Sequence, residues 1–156
     1  MRLYLLRHAI AAERNPVEYP EDAERPLTPR GVERLKRVLD GLKELEVECQ
    51  RIVASPYRRT RQTAEQAGRK LGAPVELCPE LVPGGNYHAF PWSNLQGDTM
   101  VVGHEPDLSL LGSWLLTGSD QPIFSLKKAG IACLERDDTG GRYRLSWLLL
   151  PKLWSR

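Results

Sequence analysis

Short apolar runs recur along the first two thirds of the chain and predict β-strands. They occupy positions 3–6, 52–54, 75–77, where Glu76 interrupts the run, and 99–102, where Thr99 precedes it. Each run is too short for a buried helix, and each leads into polar or turn-forming residues. Continuous apolar runs of this length are typical of strands that are covered on both faces of a parallel sheet.

The segments after the first, second and fourth runs have the apolar spacing of helices. The first begins with Thr28, a favourable N-cap, and Pro29, whose missing N–H suits the first helical position. Its apolar face continues to position 45. The second helix is expected to stop at Gly72, a natural residue for a helix C-terminus. The third is expected to begin near Pro106 and to end at Gly118.

The C-terminal third has a different pattern. Residues 131–136 and 143–147 alternate like the two strands of a β-hairpin, with a turn at 137–141. Residues 78–98 are rich in proline and glycine and are expected to be a loop with little regular structure. The predicted fold class is α/β: a mostly parallel central sheet flanked by helices on both faces, with an antiparallel C-terminal hairpin at the edge. A single domain over 1–156 is expected.

Composition and charge exclude several classes of function. The 22 Lys+Arg are balanced by 20 Asp+Glu, and no basic tract indicates nucleic-acid binding. No apolar run has transmembrane length, and Arg7 and His8 interrupt the N-terminal run before a signal peptide could form. The three cysteines are well separated and form no CxxC motif, so a reducing cytoplasm is the expected location.

Polar side chains follow three of the predicted strands. Arg7 and His8 end the first, the segment 55–59 follows the second, and His104 follows the fourth. Because parallel strands point their carboxyl ends toward the same edge of a sheet, these segments are expected to meet there.

Two imidazoles and at least two guanidinium groups suit a tetrahedral dianion such as phosphate. We expect His8 to attack a phosphoryl group while Arg7 holds it. His104, if protonated, and the arginines would stabilise the charge that develops, without a metal ion. No metal site is predicted, because carboxylate partners at ligand spacing are missing.

The motifs at these positions resemble those of the histidine phosphatase superfamily. The resemblance lies in Leu-Arg-His-Ala at 6–9, Ser-Pro-x-x-Arg-x-x-Gln-Thr-Ala at 55–64 and Gly-His at 103–104. Three further segments are similar to the phosphohistidine phosphatase SixA branch in particular: 25–31, 79–85 and 103–106. The match covers essentially the whole chain in the expected order.

The resemblance implies a phosphoglycerate mutase-like fold and a role for each matching residue. His8 would be the nucleophile that forms a phosphohistidine intermediate, and the rest of the phosphate pocket would comprise Arg7, Arg59 and His104. Arg25 matches an arginine that can reach the phosphate in this branch. No cofactor is implied.

Two glutamates are candidates for the proton donor. Glu80 occupies the place of the acid in the mutase-like branch, and Glu105 follows the second histidine, where acid phosphatases carry an aspartate. Glu80 is the preferred candidate, although the phosphohistidine branch does not clearly need either.

The resemblance also implies a partner, a protein that bears phosphohistidine. Because residues 78–98 are short for a lid, we expect a shallow pocket that admits a side chain on a protein surface and binds the phosphate ion. Two alternatives remain: a phosphatase of a small phosphoester or sugar phosphate, and a non-catalytic phosphate-binding module.

Overall fold

The computed structural model describes residues 1–137 and 139–154, and within them a six-stranded mixed sheet is flanked by three α-helices. The strands are β1 (Arg2–Arg7), β2 (Arg51–Ala54), β3 (Val75–Leu77), β4 (Thr99–Gly103), β5 (Ile131–Glu135) and β6 (Arg144–Leu149). The helices are α1 (Pro29–Glu44), α2 (Arg58–Leu71) and α3 (Asp107–Thr117).

The strand order across the sheet is β3-β2-β4-β1-β5-β6. The first four strands in this order are mutually parallel, whereas β5 runs antiparallel to β1 and β6 antiparallel to β5. The predicted α/β class is therefore confirmed, including the parallel centre and the antiparallel hairpin at one edge. No helix in the described ranges is long and apolar enough to cross a membrane.

Helices α1 and α2 cover one face of the sheet. The N-terminus of α1 is capped as the sequence predicts, since the Thr28 hydroxyl accepts a hydrogen bond from the Gly31 N–H at 3.0 Å. The apolar stripe of α1 then packs with alternate residues of β1 and β4, which include Tyr4, Leu6, Met100 and Val102. Helix α2 ends before Gly72, whose left-handed φ of 74° is the conformation that glycine adopts without strain.

The opposite face is covered by α3 and by residues 78–98. These residues were expected to form a loop with little regular structure, but they contain three short 3-10 turns. They also bury large apolar side chains against the sheet: Leu81, Tyr87, Trp92 and Leu95. The Trp92 Nε1–H donates to the Tyr87 carbonyl at 2.7 Å, so the polar group of this buried side chain is satisfied within the segment.

The C-terminal hairpin agrees with its predicted strands to within two residues. The predicted turn at 137–141 includes Asp138, which lies outside the described residues. The neighbouring strand β5 is buried over most of its length and pairs directly with β1.

Gly31, in the first turn of α1, packs closely against the backbone of Ile10, which follows β1. A Cβ at this position would lie 2.1 Å from the carbonyl oxygen of Ile10, a backbone atom with little freedom to move. We expect Gly31→Ala to destabilise the protein by about 1–3 kcal/mol through overpacking, although alanine is the better helix former. Urea unfolding measures this difference.

Arg30→Ala is the matched control, since Arg30 is an exposed neighbour in the same turn of α1. It should leave the free energy of unfolding nearly unchanged. A Gly31→Ala variant as stable as the parent protein would contradict the close approach of α1 to Ile10.

Candidate active site

The site is built on the carboxyl ends of β1, β2 and β4. In the sheet register Arg7 lies opposite Gly103, and the His8 N–H donates to the Gly103 carbonyl at 3.1 Å. The Ser55 N–H donates to the Val102 carbonyl at 3.1 Å in the same way. The residues that follow the three strands therefore meet at one edge.

A cavity of about 270 Å³ opens at this edge. Its walls are formed by Arg7, His8, Ala11, Arg25, Arg59, Pro83, His104, Glu105 and Lys128. The structure thus brings together six of the seven residues that the sequence proposed for the site, including Glu105. Glu80 is the exception.

His8 is held with one ring nitrogen free. Its Nδ1 lies 2.7 Å from the Ala9 carbonyl oxygen, which only accepts hydrogen bonds, so Nδ1 carries the hydrogen. In the neutral ring the lone pair is then on Nε2. Burial lowers the pKa of His8 to about 3, and the positive charges of Arg59 and Arg7 act in the same direction. The ring is therefore neutral and suited to nucleophilic attack near pH 7.

His104 lies beside His8, with 5.4 Å between the ring centroids. Its Nε2 is 2.8 Å from the Ser55 hydroxyl, and only 3% of the residue is exposed. Burial lowers the pKa of His104 to about 3, and the neighbouring His8 and Arg59 act in the same direction. The sequence suggested a role for a protonated His104, but the structure makes its neutral form the stable one.

The guanidinium groups of Arg7 and Arg59 are anchored by backbone contacts. Arg7 Nη1 donates to the Leu126 carbonyl at 2.8 Å, and Arg59 Nη1 donates to the Asp22 carbonyl at 2.9 Å. In both side chains Nε is buried and makes no hydrogen bond within the described part of the chain. Each arginine therefore retains a donor for an anion.

Asp22 is a site residue that the sequence did not reveal. Its carboxylate accepts from Arg25 Nε at 2.7 Å and from Arg59 Nη2 at 3.1 Å, so it links two arginines of the cavity. Burial opposes the ionisation of Asp22, but the hydrogen bond from Arg25 and the charges of both arginines lower its pKa below the usual value. No sequence signal separated it from the other acidic residues nearby, which are Glu13, Glu18, Glu21 and Glu24.

Lys128 is the second residue that the sequence did not reveal. It is exposed, lies in the wall of the cavity, and its charge contributes to the lowered pKa of His8. It belongs to the connection between α3 and β5, where no motif pointed to function.

The two candidate proton donors lie in different surroundings. The Glu80 carboxylate accepts a hydrogen bond from the Cys78 thiol at 3.0 Å and does not line the cavity. Glu105 does line it, but both of its carboxylate oxygens are engaged: one by the Ser109 N–H, the other by the Ser109 hydroxyl and the Leu126 N–H.

In the described ranges no group of three or more His, Cys, Asp or Glu side chains is arranged to hold a metal ion. The charge that the cavity presents to an anion comes from its arginines and from Lys128.

A family model described as "Histidine phosphatase superfamily (branch 1)" matches residues 3–83 of the chain. This range includes His8, Arg25 and Arg59 and covers more than half of the sequence. The chain belongs to the histidine phosphatase superfamily.

Relatives within the superfamily extend the match to the rest of the chain. An uncharacterized protein of Picosynechococcus sp. is 39% identical over 138 residues, 84% of this chain and 82% of that protein. Phosphohistidine phosphatase SixA of Escherichia coli K12 is 29% identical over 159 residues, 97% of this chain and 94% of that protein. The solved structure of the protein histidine phosphatase SixA complexed with tungstate has a TM-score of 0.80 at 28% identity, covering 98% of this chain and 99% of that one.

The protein is accordingly a phosphatase of the histidine-nucleophile type, similar to the SixA branch of the superfamily. The structure with bound tungstate, a tetrahedral oxyanion, fits a phosphate-binding site in this fold.

Adjacent arginines at the start of α2 provide a matched test of the cavity. Arg59 is 4% exposed and lines the cavity, whereas Arg58 is exposed and donates to the Glu24 carbonyl at 3.5 Å. We expect Arg59→Ala to lower kcat/KM for p-nitrophenyl phosphate by roughly 10²- to 10³-fold, the effect of losing one well-placed donor.

Arg58→Ala should change kcat/KM less than about twofold, since a solvated surface charge contributes little. Thermal unfolding of both variants separates a loss of activity from a loss of folded protein. Equal losses of activity would contradict an orientation of α2 in which Arg59 faces the cavity and Arg58 faces solvent.

Proposed function

We propose that this protein removes the phosphoryl group from phosphohistidine side chains of other proteins, with His8 as the nucleophile. The observation that carries the proposal is the absence of an available acid. Among the described residues that line the cavity, Glu105 is the only carboxylate, and both of its oxygens are engaged by Ser109 and Leu126.

The leaving group decides whether such an acid is needed. An alkoxide leaving from a serine or sugar phosphate requires a proton as the P–O bond breaks. A phosphorylated imidazole that is protonated on its second nitrogen leaves as neutral imidazole, with no proton from the enzyme. A cavity without an available acid therefore suits a phosphoramidate better than an ester.

In the first step, the lone pair of His8 Nε2 attacks the phosphorus atom. The P–N bond of the substrate breaks, and its electron pair stays on the leaving nitrogen. The His8 Nδ1–H keeps its hydrogen bond to the Ala9 carbonyl while the ring becomes phosphorylated. Arg7 and Arg59 stabilise the charge on the equatorial oxygens through their free Nε donors.

In the second step, a water molecule attacks the phosphorus of phosphorylated His8. The P–Nε2 bond breaks and its electron pair returns to Nε2. The phosphoryl group leaves with the water as dihydrogen phosphate, which retains both protons of the water. His8 is regenerated neutral, with its hydrogen still on Nδ1.

The size and the rim of the cavity support a protein substrate. At about 270 Å³ the cavity lies just below the usual range for sites that enclose a whole small molecule. It suits a phosphoryl group with part of a side chain, presented from a larger surface. Arg25 and the exposed Lys128 also line the cavity, so they are placed to contact the phosphoryl group or an acidic neighbour on the partner. The similarity to the E. coli phosphohistidine phosphatase SixA supports the same class of substrate.

The proposed substrate is tested by comparing kcat/KM for one peptide phosphorylated on histidine and its counterpart phosphorylated on serine. We expect the phosphohistidine peptide to be preferred by at least two orders of magnitude, since only its leaving group departs without an acid. Preference for the phosphoserine peptide, or for a small sugar phosphate, would overturn the proposal.

Glutamine variants of the two glutamates test the absence of an acid. Glu105→Gln should slow both peptides by a similar factor, and Glu80→Gln should slow neither, since Glu80 does not line the cavity. A selective loss on the phosphoserine peptide of tenfold or more, ~1.4 kcal/mol, would identify that glutamate as a general acid.

The nucleophile is tested by trapping the intermediate. Brief exposure to ³²P-labelled substrate and quenching in alkali should leave label on the peptide that contains His8, because a phosphoramidate survives alkali and is lost in acid. His8→Asn should remove the label. Label that survives acid, or that appears on the Ser55 peptide, would disprove the assignment, and a binding module without catalysis would show no label.

A further inference from the structure

Ser55 and His104 form a buried pair beside the cavity. Ser55 is fully buried, His104 is 3% exposed, and the serine Oγ lies 2.8 Å from the histidine Nε2. The two residues are 49 positions apart and meet because each follows a strand of the parallel sheet. The steps of the proposed function give neither residue a role.

The hydrogens at this contact can be assigned by counting the donors and acceptors around the Ser55 hydroxyl. The Ser55 hydroxyl has one hydrogen, and its oxygen already accepts from the Tyr57 N–H at 3.3 Å. Within the described residues His104 Nε2 is the only acceptor that the hydroxyl reaches. A hydroxyl that donates to Nε2 requires a lone pair on that nitrogen, which leaves the ring hydrogen of neutral His104 on Nδ1.

We infer that Ser55 holds His104 as the neutral tautomer with its hydrogen on Nδ1, so that this N–H is the donor the ring offers to the transferring phosphoryl group. Ser55 is then a positioning residue that acts through His104. The inference rests on the proposed function only for the identity of the anion that Nδ1–H meets.

The other ring nitrogen is available for this role. His104 Nδ1 is buried and has no hydrogen-bond partner within the described ranges, and the ring forms part of the cavity wall. A hydrogen on this atom would otherwise be unsatisfied, which is costly for a buried donor. An oxyanion in the cavity would satisfy it.

The charges around His104 favour the neutral ring. Burial is the largest cause that lowers its pKa, to about 3, and His8, Arg59 and Arg7 lower it further. Asp22 acts in the opposite direction. Protonation would place a third positive group among Arg7 and Arg59, so the ring contributes a directed N–H dipole while the arginines supply the charge.

Histidine labelled with ¹⁵N tests the inference directly, because protonated and unprotonated ring nitrogens have well-separated chemical shifts. The chain contains three histidines, and His88→Gln removes the signals of the one outside the cavity. At pH 7 and at pH 5 we expect His104 to show a protonated Nδ1 and an unprotonated Nε2. His8, whose Nδ1 donates to Ala9, serves as the internal reference.

Ser55→Ala should disturb His104 alone. Without the hydroxyl, Nε2 has no donor, and we expect the His104 ¹⁵N signals to move toward a mixture of tautomers while those of His8 remain. We also expect kcat/KM for p-nitrophenyl phosphate to fall on the order of 10²-fold, as for one misplaced donor. Ser55→Thr, which keeps the hydroxyl, should restore both readouts.

Thr60→Ala is the matched control. The Thr60 hydroxyl donates to the carbonyls of Ser55 and Tyr57, so this variant perturbs the same turn without removing the group that meets Nε2. Its His104 signals should match those of the parent. A change as large as that in Ser55→Ala would assign the effect to the turn and overturn the inference.

Wild-type protein alone also decides the matter. A His104 ring with its hydrogen on Nε2, or a cationic ring at pH 7, would overturn the inference without any variant. These spectra need no substrate. Loss of the phosphohistidine preference would therefore refute the proposed function while leaving the tautomer result intact. A different tautomer of His104 would likewise overturn the inference while leaving the substrate preference intact.

Discussion

The parallel pairing of β1 with β4 is the constraint on which the rest of the site depends. Arg7 lies opposite Gly103, and each is followed in sequence by a histidine. The register therefore places the two histidines side by side, with 5.4 Å between their ring centroids. This distance is close to the spacing of hydrogen-bonded strands. The His8 N–H continues the ladder by donating to Gly103, so the backbone of the nucleophile is held by the sheet itself.

The electrostatics of the cavity follow from that placement. Two imidazoles buried beside arginines are stable only when neutral, and the pKa of each is lowered to about 3. The neutral rings avoid repulsion with Arg7 and Arg59, and Asp22 is the counter-ion that holds Arg59 in place. The cavity therefore keeps an excess of positive charge for a dianion. His8 Nε2 remains unprotonated and available for attack, and, by our inference, His104 Nε2 remains unprotonated and accepts from Ser55.

Much of this could be predicted from local patterns. The ends of α1 and α2 follow from Thr28 and Gly72, because capping and a left-handed glycine are properties of a few adjacent residues. The strands follow from apolar runs. The rule that parallel strands present their carboxyl ends at one edge was then sufficient to expect His8 and His104 in one place. The resemblance in sequence added the family, which the comparisons confirmed.

Residues 78–98 mark the limit of such patterns. Proline and glycine in this segment correctly indicate the absence of long helices or strands. They do not show that Tyr87 and Trp92 pack against the sheet, because an irregular segment has no periodicity from which a buried face can be recognised. Only the folded chain shows which apolar residues of an irregular segment are needed to cover the second face of the sheet.

The sequence by itself determined the element order, the α/β class and the identity of the groups that meet at the strand ends. The tertiary structure decided which partners those groups have. Asp22 meets Arg59 across 37 positions, Ser55 meets His104 across 49, and Glu105 rather than Glu80 lies in the cavity wall. Periodicity and capping act over one or two turns of chain, whereas a side-chain hydrogen bond depends on distances and directions that exist only when separate segments are packed together.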